Sequence, residues 1–81
     1  MVSEILHRIE SDPAVMLGKP VVRGTRITVE IILEKLAGGA SVEEVLTDYP
    51  DLEREDVLAA LAYARQAVGM DEVIVDTART A

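Results

Sequence analysis

The chain has 81 residues, 49% of them apolar but with only Tyr49 and Tyr63 aromatic, and a net charge of −7 from 8 Lys and Arg against 15 Asp and Glu. Such a length suits one small domain that buries about 60% of its unfolded-chain surface, with a core built from Leu, Ile, Val and Ala. The absence of cysteine excludes disulfides, thiol catalysis and thiolate-held metals, and no apolar run approaches a membrane span, so a soluble cytoplasmic protein is expected.

The charge is unevenly placed. Residues 1–28 carry four cations, Arg8, Lys19, Arg23 and Arg26, against three acids, Glu4, Glu10 and Asp12. Residues 41–56 carry seven acids and one cation, Arg54. The middle of the chain therefore repels phosphate, and only the N-terminal part attracts it.

In chain order, Ile5, Leu6 and Ile9 lead into a short strand that Ser11-Asp12-Pro13 ends as a turn. Ala14 to Leu17 is apolar and runs into a second turn at Gly18-Lys19-Pro20, where Gly permits positive φ and Pro fixes its own. Val21-Val22 is a β-prone pair, predicted to form a small antiparallel ribbon with the piece around Ile9. An isolated ribbon is marginal in water, so it must pack on helices or on another chain.

Arg23-Gly24-Thr25-Arg26 makes a corner before the first helix. Thr28 stands as its N-cap, Glu30 falls in its first turn, and Val29, Ile32, Leu33 and Leu36 form one face. Gly38 and Gly39 stop it. Ser41-Val42-Glu43-Glu44 then reads as a capping box opening a short second helix, with Val42, Val45 and Leu46 inward. Pro50-Asp51-Leu52 breaks it.

A third helix is predicted from Glu53 to Val68, with Val57, Leu58, Leu61 and Ala64 or Val68 as its core stripe and Gly69 as its C′ residue. Its other side, Ala59, Ala62, Tyr63 and Gln66, is also apolar, which in so small a domain suggests contact with another chain. Two readings stay open for residues 70–81: a short strand through Val73-Ile74-Val75, or a tail. Three helices with a tight turn before the third make a helix-turn-helix order. The domain division is 1–69 for the helix-turn-helix domain with its β arm, and 70–81 for the tail or strand.

Gly18-Lys19-Pro20, Arg23-Gly24-Thr25-Arg26-Ile27, Gly39, Ser41, Tyr49-Pro50, Leu52 and Ala60-Leu61-Ala62-Tyr63-Ala64 together resemble the signature of the domain-of-unknown-function 433 family, from about Ile9 to Ala64. The resemblance implies a mainly α, trihelical, homeodomain-like helix-turn-helix fold preceded by a short β element. It also implies the antitoxin of a type II toxin–antitoxin pair, similar to VapB-type proteins, with a PIN-like nuclease as toxin partner. Residues 70–81 follow no motif of that family.

The N-terminal cations Arg8, Lys19, Arg23 and Arg26 are the candidates for DNA phosphate contacts. Arg26 also has a structural reading, which is favoured: an ion pair that ties the corner to the acidic second helix, with Gly18, Pro20, Gly24 and Thr25 shaping the corner. Ile31, Ala59, Ala62, Tyr63, Val73 and Val75 are the candidate interface of a homodimer, because one small core cannot cover them all. The nominal recognition helix opens with Glu53, Arg54, Glu55 and Asp56, which cannot neutralise phosphate, so DNA binding by the protein alone is expected to be weak and to run through the N-terminal cations.

His7 has no nucleophile or carboxylate at a recognisable spacing and reads as a surface residue. Glu43, Glu44 and Asp48 read as capping and solvated acids rather than metal ligands. No catalytic constellation, metal or cofactor is expected. Two functions follow: an antitoxin that binds its toxin and its operator, or a homodimeric protein-interaction domain with no nucleic-acid role.

Overall fold

The computed structural model describes residues 2–70, with the side chains of residues 4–69. The chain passes through a single helical turn, α1 (Val2–Ile5), a 3-10 turn (Leu6–Arg8), β1 (Ile9–Glu10), a second 3-10 turn (Met16–Gly18) and β2 (Val21–Val22). It then forms three principal helices, α2 (Val29–Ala37), α3 (Val42–Asp48) and α4 (Arg54–Met70). The result is a mainly helical domain with a two-stranded antiparallel ribbon near its N-terminus.

In the ribbon Ile9 faces Val22 and Glu10 faces Val21. The far edge of β2 is covered as well: Val22 N–H donates to the Ile27 carbonyl at 2.9 Å, and Val21 bridges to Thr28. Both valines are therefore buried. The connection is a four-residue turn closed by Thr25 N–H to the Val22 carbonyl at 2.9 Å. Gly24 occupies its third position at φ +81°, the left-handed value that a type II turn demands there. Thr25 Oγ1 donates to the Val22 carbonyl and accepts from Ile27 N–H, so one side chain satisfies two backbone groups.

Each helix boundary has a chemical cause. Thr28 Oγ1 accepts from Ile31 N–H at 3.1 Å and caps α2. The other end of α2 closes with Gly39 N–H to the Leu36 carbonyl and Ala40 N–H to the Lys35 carbonyl, with Gly39 at φ +104°. That pair of bonds is the Schellman arrangement. The capping box of α3 is complete in both directions: Ser41 Oγ accepts from Glu44 N–H, and Glu44 Oε1 accepts from Ser41 N–H. Leu52 N–H returns to the Tyr49 carbonyl across Pro50 and Asp51, and this turn delivers the chain to α4.

The core holds Ile9, Val22, Val29, Ile32, Val45, Leu52, Val57, Ala59 and Ala60. Ile27, Leu33, Leu36, Val42, Leu46 and Tyr63 pack around it, half-buried. Burial of this aliphatic surface, at roughly 25 cal/mol per Å², drives the assembly.

Helix α4 departs from the sequence expectation. Leu58 and Leu61 are not core: each is 42% exposed, and Val68 is 63% exposed. Ala59, expected at an outer interface, is fully buried with Ala60. The cause is packing distance, because α4 lies against α1, β1 and α2 at once and two alanines free of solvent mean that those neighbours approach its backbone closely. Gly69 is not a left-handed C′ residue; its φ is not positive, and α4 continues through it to Met70. The strand-or-tail reading and the interface residues Val73 and Val75 lie outside the described residues. Among the described residues no helix is long and apolar enough to cross a membrane.

Candidate functional site

The four N-terminal cations do not form a free basic patch. Arg8 ends the first 3-10 turn and reaches across to α4, donating from its guanidinium to Asp56 Oδ1 at 2.9 Å and to Glu53 Oε1 at 3.2 Å. Asp56 is only 6% exposed, and its second oxygen accepts from Glu53 N–H at 2.8 Å. This one carboxylate therefore caps the first turn of α4 and fastens the N-terminal segment to it. The bond to Asp56 is the main reason the Arg8 pKa lies above its ordinary value, with Glu53 adding to it. Arg8 is a structural clasp, and DNA phosphate would have to compete with a buried partner for it.

Lys19 pairs with Glu30 at 3.1 Å. Arg23 donates to the His7 carbonyl at 2.8 Å and pairs with Glu10 at 3.2 Å, lying along the ribbon. Arg26 is the reverse of its expectation. It is exposed and makes no ion pair among the described residues. The corner closes through Gly24 and Thr25, whose hydrogen bonds leave the Arg26 side chain outside. The tie to the acidic second helix is made instead by Arg54, which pairs with Glu43 at 3.0 Å, and by Lys35, which pairs with Asp48 at 3.1 Å and lies 5.5 Å from the centre of the Tyr49 ring.

Of the acids of residues 41–56, Glu43, Glu44, Asp48, Glu53 and Asp56 are occupied. Glu43 is held below its ordinary pKa by a hydrogen bond from its own backbone N–H and then by Arg54. Asp48 raises the Lys35 pKa, chiefly through their hydrogen bond. Glu44 belongs to the capping box. Among the described residues no group of three or more His, Asp or Glu converges as metal ligands do. His7 is exposed, its Nδ1 against the Glu4 carbonyl.

Two apolar surfaces stand out that the sequence pattern does not reveal. The first is the loop ahead of β2. Asp12 Oδ1 accepts from Ala14 N–H, Val15 N–H donates to the Asp12 carbonyl, and Lys19 N–H donates to the Met16 carbonyl, so the loop is hydrogen-bonded to itself. Met16, Leu17 and Gly18 all have positive φ, at 49°, 60° and 83°. Leu17 is 93% exposed. For glycine this conformation is routine, but for the two larger residues it costs about 1–2 kcal/mol each. The pattern showed an apolar lead-in to a turn; only the bracketing Pro13 and Gly18 hint that the segment is held outward.

The second surface is the outward side of α4, where Leu58, Leu61, Arg65 and Val68 recur at spacings of three and four with Ala62 beside Leu61. Of the residues expected at a dimer interface, Ala62 and Tyr63 on α4 and Ile31 on α2 are half-buried. Ile31 and Tyr63 pack against the domain's own core, which leaves Ala62 beside the exposed leucines.

A β ribbon laid on three helices, with a turn leading into the longest, is a small helical domain of helix-turn-helix order. The chain belongs to the family described as protein of unknown function (DUF433), whose profile matches residues 9–64. It is 41% identical over 56 residues to the uncharacterized protein y4eO of Sinorhizobium fredii, a match that covers 69% of this chain. That stretch spans only 25% of y4eO, so the relative is much the longer protein. The crystal structure of a DUF433 member from Anabaena variabilis is similar, with a TM-score of 0.74 at 33% identity over 85% of this chain and 68% of that one.

Proposed function

We propose that this domain is a cytoplasmic protein-binding module, not an enzyme, and that it serves as the antitoxin of a type II toxin–antitoxin pair by capturing a PIN-like nuclease as a homodimer. The observation that carries the protein-binding part is Leu17. A bulky apolar side chain, 93% exposed, sits in a left-handed turn beside a second non-glycine residue of positive φ. Such strain lowers the stability of the free domain and persists where it serves a partner. The nuclease as partner follows from the family resemblance.

Operator binding is a minor part of this reading. Arg8, Lys19 and Arg23 already face carboxylates of their own chain, and the start of α4 presents Glu55, with Glu53 just ahead of it, where a recognition helix would meet base edges. The free protein should therefore bind its promoter no more tightly than non-specific DNA.

The test is to purify the full chain with the product of the adjacent reading frame and measure that protein's ribonuclease activity. A stoichiometric complex that silences the activity is expected, and Leu17→Ser should weaken it at least about tenfold, the equivalent of about 1.4 kcal/mol, with the melting temperature of the free domain no lower. No complex, or a complex indifferent to Leu17, would overturn the reading.

A further inference from the structure

The outward face of α4 has the repeat of a helix seam. Leu58, Leu61, Arg65 and Val68 follow at intervals of three, four and three, the a/d spacing of helices that pack along their length. Small residues accompany them: Ala62 between Leu61 and Arg65, and Gly69 just after Val68, around which an added Cβ would meet nothing within 4 Å. The helix has 17 residues, about 26 Å at a rise of about 1.5 Å per residue, long enough for a partner helix to lie along most of it.

Charge identifies the occupant and its direction. Glu55 at the start of α4 and Arg65 near its other end are both exposed, and neither makes an ion pair among the described residues. A second copy laid antiparallel along the seam brings Arg65 of each helix toward Glu55 of the other, twice by symmetry. A parallel copy would set Arg65 against Arg65 and Glu55 against Glu55. The antiparallel arrangement also opposes the two helix dipoles favourably.

We infer that two copies of this chain pair through α4 in an antiparallel seam centred on Leu58, Leu61 and Ala62, its direction set by reciprocal Glu55–Arg65 ion pairs. This deepens the homodimer of the preceding section and is independent of the toxin. One helix pair lies toward or below the lower end of the roughly 1,200–2,000 Å² that stable interfaces bury, so association belongs in the micromolar range. The seam faces away from the core and leaves the Arg8–Asp56 clasp untouched.

Sedimentation equilibrium of the full chain across the micromolar range tests this. A dimer is expected that Leu61→Ser abolishes. Glu55→Arg or Arg65→Glu alone, by opposing like charges twice, should each weaken it about tenfold, and the double reversal should restore it to within a few-fold of the parent. Circular dichroism spectra that match the parent certify that each variant is folded. Leu17→Ser should leave the dimer intact, so loss of toxin binding and loss of the dimer are read separately. A chain monomeric throughout, its α4 face covered by residues 71–81 or by nothing, overturns the inference. So does a dimer that survives Leu61→Ser, or one that the double reversal fails to restore.

Discussion

Asp56 shows how one side chain can organise two parts of a chain. Its oxygens accept from Glu53 N–H and from Arg8, and it is almost free of solvent. Asp56→Ala should cost about 2–3 kcal/mol, since hydrogen bonds to charged groups are worth more than neutral ones and Glu53 N–H would lose its partner. Arg8→Ala should also lower the melting temperature clearly, because it leaves a buried carboxylate without its cation. Arg26→Ala, at an exposed position without an ion pair, should stay within about 0.5 kcal/mol. Urea denaturation of the three variants checks the order. At Leu17 the sign reverses. Leu17→Gly removes about 1–2 kcal/mol of left-handed strain and costs about 0.5–1 kcal/mol of backbone entropy. The variant should therefore be slightly more stable than the parent while binding its partner less well.

Among the elements, α4 makes the sharpest distinction between size and burial. Its fully buried residues include Ala59 and Ala60, while Leu58 and Leu61 face outward. Ala60→Leu should thus destabilise by about 1–3 kcal/mol through overpacking, whereas Leu61→Ser should leave the isolated domain within about 0.5 kcal/mol of the parent. Thermal melts of dilute protein would separate the two. The helix starts and the end of α2 were legible in the sequence because their chemistry is local: Thr28 and Ile31, Ser41 and Glu44, Gly39 and Leu36 are all within four residues of one another. The rotation of α4 was not legible. Both of its sides carry apolar residues, and the choice between them is made by α1, β1 and α2 from elsewhere in the chain. The pairing of Arg8 was not legible for the same reason, since its two carboxylates lie 45 and 48 residues away.

For the whole molecule, the net charge of −7 conceals extensive internal neutralisation, and this predicts how stability responds to pH. Glu43 in the folded state titrates below its ordinary 4.5, so its contribution is present above that value and is lost as pH falls through the lowered one. Lys35 titrates above its ordinary 10.5, so its contribution is present below that value and is lost as pH rises through the raised one. Stability should therefore be nearly flat between these limits as far as these two groups govern it. Glu43→Gln should flatten the acid limb and Lys35→Met the alkaline limb of a plot of denaturation midpoint against pH. A parent profile sloping steeply through neutrality would contradict this account.

The clasp between Arg8 and Asp56 also constrains the order in which the chain can mature during synthesis. Arg8 is made 48 residues ahead of Asp56, and the ribbon that follows Arg8 rests partly on α4. Until α4 emerges, α2 and α3 can form their local caps and the ribbon can close on Ile27 and Thr28, but Arg8 has no carboxylate on which to settle. The segment ending at Arg8 should consequently settle only once α4 is in place, acquiring protection from hydrogen exchange together with it.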